Sequence, residues 1–298
     1  MSYSDLLSAV AKDAGIPSAA ELVSKHGHKY LHLIKSRERA RELIGAFTAL
    51  LDTSLKGKKL LELGSGVGSL SIEFAHLGAE VTAIEPSVRW MGMAEEHARN
   101  EAKVNFVRAD LLHSLSDFPE KSFDIVVTVD SLPKIYDLHH AAERLHGLIK
   151  PGGALAFRVP SGSSPASVDD RRGLGLPLVP PDYWSAFVKA PIGQYHRPWG
   201  TYRALFKEAG FAEPVLSVAK VDESLERAKY KIRAQLSVLK KKLKEKETLS
   251  DPKAYIYARN ALKPYIRGVE RDLEALSWDE LNLRYRAPTW VGVARVPA

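Results

Sequence analysis

From Lys58 to Val159 the chain alternates short apolar runs with amphipathic segments, the pattern of βαβ units in a parallel sheet. Five strands are expected there, in KKLLEL (58–63), AEVTAIE (79–85), KVNFVRA (103–109), FDIVVTV (123–129) and GALAFRV (153–159). Helices are expected to begin near Gly68 and Ser87, with another over about Asp137 to Ile149, and Gly152 and Gly153 read as the tight turn into the fifth strand. Ahead of this core, Leu6, Leu7 and Val10 share a helical face. Gly15 and Pro17 interrupt it, and Ser36 can cap a helix running through Leu43, Ile44, Phe47 and Leu51. Residues 1–55 are therefore expected to be a helical lid.

Beyond Pro160 the periodicity disappears. Seven prolines lie between Pro160 and Pro198, so 160–199 reads as a long loop, ordered by its aromatic residues and covering a substrate. A helix in GTYRALFKEAG and a strand in AEPVLSVAK follow. Over 221–286 a helical hairpin is expected. Leu225, Ala228, Ile232, Leu236, Leu239 and Leu243 share one face of its first helix, while Asp251 and Pro252 open a returning helix through Leu262, Val269 and Leu273, bent near Pro264. APTWVGVARV closes the chain as a last strand, so the core is assigned to 56–220 with 287–298.

Composition narrows the chemistry. A chain of 298 residues, 45% of them hydrophobic, is large enough for one α/β core with appendages. The absence of cysteine excludes disulfides, thiolate metal sites and cysteine nucleophiles, and no metal site is expected. Neither a membrane-length apolar run nor a signal-like start is apparent, which implies a cytoplasmic protein. The net charge of +7 is local: nine Lys or Arg face a single acid, Glu245, between Arg227 and Lys246. That surface can solvate an amphipathic helix, support a homo-oligomer, or meet nucleic acid through 227–246.

The most informative stretch is Glu62-Leu-Gly-Ser-Gly-Val-Gly68, a strand ending in a turn whose glycines let backbone approach a ligand. Glu85, at the end of the second strand, is placed to accept hydrogen bonds from ribose hydroxyls, and Asp110 ends the third. Strand ends of a doubly wound sheet open onto one crevice, so these acids gather around one ligand. A carboxylate beside the loop opposes a pyrophosphate, and the loop lacks the Lys-Ser/Thr of a nucleotide phosphate site. S-adenosylmethionine, which carries an ammonium and a sulfonium and no phosphate, fits best; a nicotinamide dinucleotide fits less well.

Glu62 to Gly68, Glu85, Asp110 and Leu148-Ile-Lys-Pro-Gly-Gly153 together resemble the class I S-adenosylmethionine-dependent methyltransferases, over roughly residues 55–160. The resemblance implies a Rossmann-like α/β sheet of seven strands, the last antiparallel, with helices on both faces. It further implies that Glu62 lies at the amino acid end of the cofactor, that Gly64 and Gly66 pass beneath it, and that Asp110 binds near the adenine amine. Ser65, Gly68, Pro86 and Leu111 belong to the same cofactor set, and Thr128, Val129 and Asp130 line the reactive side.

Methyl transfer needs alignment and, for a hydroxyl or a protonated nitrogen, a base. Candidates are His139, His140 and Tyr136 at the start of the helix after the fourth strand. Many small-molecule members of the family carry a Glu-His pair slightly earlier, where this chain has Pro133-Lys134. His26, His28 and Tyr30 suit a polar lid, and Tyr195, His196, Arg197 and Trp199 suit an acceptor pocket. The expected activity is methyl transfer to O or N of a small molecule or sugar. Alternatives are a methyltransferase for RNA or another large anion, and a catalytically silent cofactor-binding subunit.

Overall fold

The computed structural model describes residues 3–13, 15–25, 36–161, 197–219, 221–244 and 252–298. The strands are β1 (Lys59–Leu63), β2 (Glu80–Ile84), β3 (Val104–Val107), β4 (Phe123–Val129), β5 (Ile149–Pro160), β6 (Val215–Val218) and β7 (Thr289–Arg295). They form one sheet in the order β3-β2-β1-β4-β5-β7-β6. Strands β1 to β5 pair in parallel and only β7 runs antiparallel to its neighbours, as the resemblance implied.

Alternation along the strands distributes two cores. Leu61, Leu63, Val126, Leu155, Phe157 and Trp290 face α6 (Leu138–Leu148) and α7 (Trp199–Glu208). Their neighbours Leu60, Val81, Ile125, Val127, Ala154 and Val293 face the opposite layer, as a period of two requires. That layer holds α3 (Ser36–Leu51) and α4 (Ser69–His76), while α5 (Val88–Ala98) packs beside β3.

This changes the reading of residues 1–55 as a single lid. The buried side chains of α3, Ala40, Ile44, Phe47 and Leu51, are packed into the sheet, so α3 is a structural layer of the core. Of the described residues in this segment, α1 (Tyr3–Asp13) and α2 (19–25) lie over the nucleotide-fold half of the domain, where Val10, Ala11 and Leu22 pack on Val67 of the glycine loop and on Trp90 and Met93 of α5. The fifth strand also differs from expectation. It starts at Ile149, directly after α6, and the register slips between the Phe123–Ile149 and Ile125–Ala154 pairs. Lys150 to Gly153 thus form a bulge within the strand; a Cβ on Gly153 would sit 2.5 Å from the Asp124 carbonyl.

The hairpin forms as its leucine seam requires. Ile232, Leu236 and Leu239 of α8 (Leu225–Lys242), with Leu243 capping its end, bury against Leu262, Ile266, Val269 and Leu273 of α9 (Pro252–Ala275). The second helix continues through Pro264, and the expected cap Asp251 lies outside the described residues. A short helix α10 (Trp278–Leu281) and a π-helical turn, Asn282–Arg286, return the chain to β7. The turn locks the hairpin to the sheet: Asn282 Nδ2 donates to the Ala219 carbonyl at 3.1 Å, and Arg286 is ion-paired with the buried Glu223.

The placement of α3 gives a stability test. Phe47→Ala should cost about 3–5 kcal/mol in urea unfolding, as for a large side chain lost from a packed core. A peripheral cover would lose only about 0.5 kcal/mol.

Candidate functional site

Strand order reverses between β1 and β4: the chain leaves β1 towards β2 on one side and leaves β4 towards β5 on the other. Crevices at such switch points, at the carboxyl ends of the strands, are where doubly wound sheets bind ligands. The glycine loop after β1 and the Asp130-Ser131 turn after β4 meet there.

The three glycines have different physical reasons. Gly64, at φ +82, has no room for a side chain, since a Cβ would fall 2.1 Å from Ser131 Oγ. Gly68, at φ +75, is closed by Ala94 and Phe106. Gly66, at φ +56, has open space where its Cβ would be, so its bare backbone is what the crevice presents. Behind the loop, the buried His97 holds the Val67 carbonyl through Nδ1 at 3.1 Å.

Two buried carboxylates flank this backbone. Glu85 accepts from the Gly66 N–H through Oε2 at 2.8 Å and from the Ser87 N–H through Oε1 at 3.0 Å, and so ties the loop to the start of α5. Each oxygen keeps a second lone pair for a ligand. Glu62 is 2% exposed, and the Ser71 hydroxyl donates to it. Burial pushes the Glu62 carboxyl up to about 7; the Ser71 bond opposes the shift and the nearby Glu85 charge adds to it. Asp110 is arranged otherwise. Exposed, its Oδ1 accepts from the Leu112 N–H, the His113 N–H and His113 Nδ1 at 2.9–3.0 Å, capping the short turn His113–Asp117. The backbone N–H groups of His113 and Leu112 hold its carboxyl below the usual range. Of the remaining cofactor candidates, Ser65 and Leu111 are buried, and Leu111 approaches the Gly64 side of the loop.

The candidate bases do not converge. His139 lies between Glu143 and Glu208, at 3.6 and 3.7 Å, on the flank where α6 meets α7. His140 is exposed, its backbone N–H donating to the capping Asp137, and successive helical positions diverge by about 100°. Tyr136 is 67% exposed, and its carbonyl accepts from Arg197. His26, His28, Tyr30, Tyr195 and His196 lie outside the described residues. Trp199 is buried between Phe157 and Trp290 and is core.

Residues without a sequence signal appear beside the crevice. Arg158 of β5 is ion-paired with Asp130, and Tyr202 of α7 is fully buried near Asp130 and Arg197. The hairpin charges are likewise rearranged: Lys231, Arg233 and Lys240 are ion-paired with Glu223, Glu274 and Glu270. Three of the nine cations of 227–246 are thus paired within the fold, two of them across the hairpin. Among the described residues, no group of three or more His, Asp or Glu side chains could hold a metal ion, and no helix is long and apolar enough to cross a membrane.

Two tests follow from the loop geometry. Gly64→Ala should prevent normal folding or strongly destabilise it, whereas Gly66→Ala should fold, costing about 1–3 kcal/mol in backbone strain. The raised Glu62 carboxyl binds a proton in the folded chain that the unfolded chain has released, between the ordinary carboxylate range and about 7. Stability should therefore fall as pH rises through that window, and Glu62→Gln should remove that part of the slope in chemical denaturation. Parallel profiles would show that Glu62 titrates normally.

A family model described as a methyltransferase domain matches residues 61–157. The ubiquinone biosynthesis O-methyltransferase of Methylococcus capsulatus is 32% identical over 105 residues, covering 35% of this chain and 44% of that protein. The chain thus spans less than half the length of the curated relatives it matches. Among solved structures, phosphoethanolamine N-methyltransferase 2 of Haemonchus contortus, with phosphomonomethylethanolamine and S-adenosylhomocysteine bound, superposes with a TM-score of 0.52 at 16% identity. It covers 87% of this chain and 53% of that one. An S-adenosylmethionine-dependent methyltransferase, so described as putative, from Listeria monocytogenes gives 0.50 at 17% identity, covering 87% and 99%. Residues 61–157 therefore match a methyltransferase domain, and the seven-stranded α/β sheet that carries them has the fold of those solved structures.

Proposed function

We propose that the chain binds S-adenosylmethionine across the glycine loop and transfers its methyl group to an oxygen or nitrogen atom of a small molecule or sugar. The observation that carries this reading is the buried pair Glu62 and Glu85 around the open backbone at Gly66. A pyrophosphate would face two carboxylates at short range. A ligand with an ammonium at one end and ribose hydroxyls in the middle is what those carboxylates can receive. Glu85 offers its remaining lone pairs to the ribose, and Glu62 its charge to the amino acid end. The adenine would reach the Asp110-Leu111 side, where Leu111 supplies apolar surface.

When bound, the cofactor supplies an electrophilic methyl carbon. The chain's task is then to orient the acceptor, exclude water and accept a proton where the acceptor carries one. The O-methyltransferase named in the sequence comparison supports an oxygen acceptor, and the small-molecule substrate named in the structural one supports a small acceptor. The hairpin gives RNA less support than its charge count alone, because Lys231, Arg233 and Lys240 are paired within the fold.

Calorimetric titration with S-adenosylmethionine, S-adenosylhomocysteine and NAD tests the reading directly. The first two should bind and NAD should not; the reverse order would overturn the assignment. Glu85→Ala should weaken S-adenosylhomocysteine binding by about 1.5–3 kcal/mol, the value of hydrogen bonds to a charged group. The cofactor ammonium should also draw the proton off Glu62, so binding near pH 6 should release protons, visible as a dependence of the heat on buffer ionisation that Glu62→Gln abolishes.

A further inference from the structure

At the end of β4 the fold buries polar atoms that it does not satisfy. Among the described residues, Asp130 Oδ1 has no hydrogen-bond partner, nor does Thr128 Oγ1 two residues earlier on the strand, and the Tyr202 hydroxyl, which lies against the Arg197 guanidinium, has no acceptor for its proton. An unsatisfied buried polar atom costs about 1–3 kcal/mol, so several in one place mark a site whose partner comes from elsewhere. Asp130 is also held at φ +56, a left-handed conformation that is uncommon outside glycine. Strain of this kind persists only where the surroundings fix it. Here β5 fixes it twice: Arg158 is ion-paired with Oδ2, and the Asp130 N–H donates to the Arg158 carbonyl at 2.9 Å. The next residue, Ser131, packs under Gly64, which sets Asp130 beside the glycine loop.

Tyr202 approaches from α7. Its side chain is fully buried, close enough to Arg197 and Asp130 to feel both charges. Burial raises its ionisation above the usual phenol range, so the hydroxyl keeps its proton and remains a donor. Arg197 is itself anchored, donating to the Ile135 and Tyr136 carbonyls at 2.9 Å each.

We propose that Asp130 Oδ1 and the Tyr202 hydroxyl together hold the acceptor's hydroxyl group, with Asp130 taking its proton. This rests on the methyltransferase reading and narrows it to an alcohol or phenol acceptor. The pair complements a hydroxyl, which has one donor and two lone pairs. The acceptor O–H donates to Asp130 Oδ1, one lone pair receives the Tyr202 proton, and the second is left for attack. A neutral amine has only one lone pair, which cannot both accept from Tyr202 and attack. In the transfer, the acceptor's lone pair forms the new C–O bond as the methyl C–S bond breaks with its electrons left on sulfur. The O–H proton passes to Asp130 Oδ1. The sulfonium and carboxylate charges are lost together, so charge balances. Asp130, which the resemblance placed on the reactive side, is thus assigned as the base and Tyr202 as the acceptor-orienting donor, where the sequence had offered His139, His140 and Tyr136 as bases.

The test uses protein saturated with S-adenosylhomocysteine and titrated with phenol and with aniline, probes of equal shape, followed by saturation-transfer NMR. Wild type should bind phenol in preference to aniline, a comparison that needs no variant. Asp130→Asn and Tyr202→Phe, checked for folding by circular dichroism, should each weaken phenol binding about tenfold or more while retaining S-adenosylhomocysteine affinity. With radiolabelled S-adenosylmethionine, Asp130→Asn should slow methyl transfer to phenol by about 10²–10⁴-fold, the usual contribution of a general base. Unchanged phenol affinity in both variants, equal binding of aniline, or no phenol binding by wild type overturns the proposal while leaving the cofactor reading intact. Failure of wild type to bind S-adenosylhomocysteine removes both.

Discussion

The site depends on one close approach, that of the Ser131 hydroxyl to the bare Cα of Gly64. The strands β1 and β4 are neighbours, but their following segments leave in opposite directions, and the turns at their ends must pass without colliding. Removing the side chain at Gly64 is what permits this. Once the two turns are in contact, the open backbone at Gly66 and the strained Asp130 become parts of one crevice. Glu85 then fixes the loop from the other side by receiving the Gly66 N–H.

Electrostatics underlies the ligand charge proposed for this crevice. The carboxyls of Glu62 and Glu85 are both buried, and the Glu85 charge disfavours that of Glu62. Their native arrangement is uncomfortable when both are ionised, and a cation at the amino acid end of a ligand relieves it. A phosphate would worsen it. In the proposed function, the same carboxylates that make the loop costly for the folded chain would set the sign of its ligand.

The parts of this arrangement visible in the sequence were those with a local period or spacing. Leu60 and Leu61 announce a strand buried on both faces, and the Gly64, Gly66, Gly68 series with Glu85 announces a nucleoside crevice. Phe47 and its helical partners were legible as an apolar face, but not what that face would cover. An amphipathic helix before a sheet has the same pattern whether it becomes a lid or a layer. The slipped register at Lys150 to Gly153 was hidden for a related reason: Pro-Gly-Gly favours a turn locally, and pairing with β4 absorbs it as a bulge. The charges of 227–246 misled in the other direction, since their carboxylate partners Glu270 and Glu274 lie on the returning helix.

Asp130 shows where reading from the sequence stops for a physical reason. In FDIVVTVD it is an acid after a strand, which the resemblance places on the reactive side but which nothing local sets apart as a base. Its significance comes from a backbone angle and from Arg158, 28 residues away, which is brought alongside only by the β4–β5 pairing. Tyr202 is more remote still, reaching the same place from α7, on the other side of 162–196. Each residue has an ordinary structural role by itself: an ion pair, a buried ring. Only their meeting brings a carboxylate oxygen without a partner among the described residues and a phenol O–H without an acceptor to the same end of the sheet as the glycine loop, and the proposed acceptor site rests on that meeting.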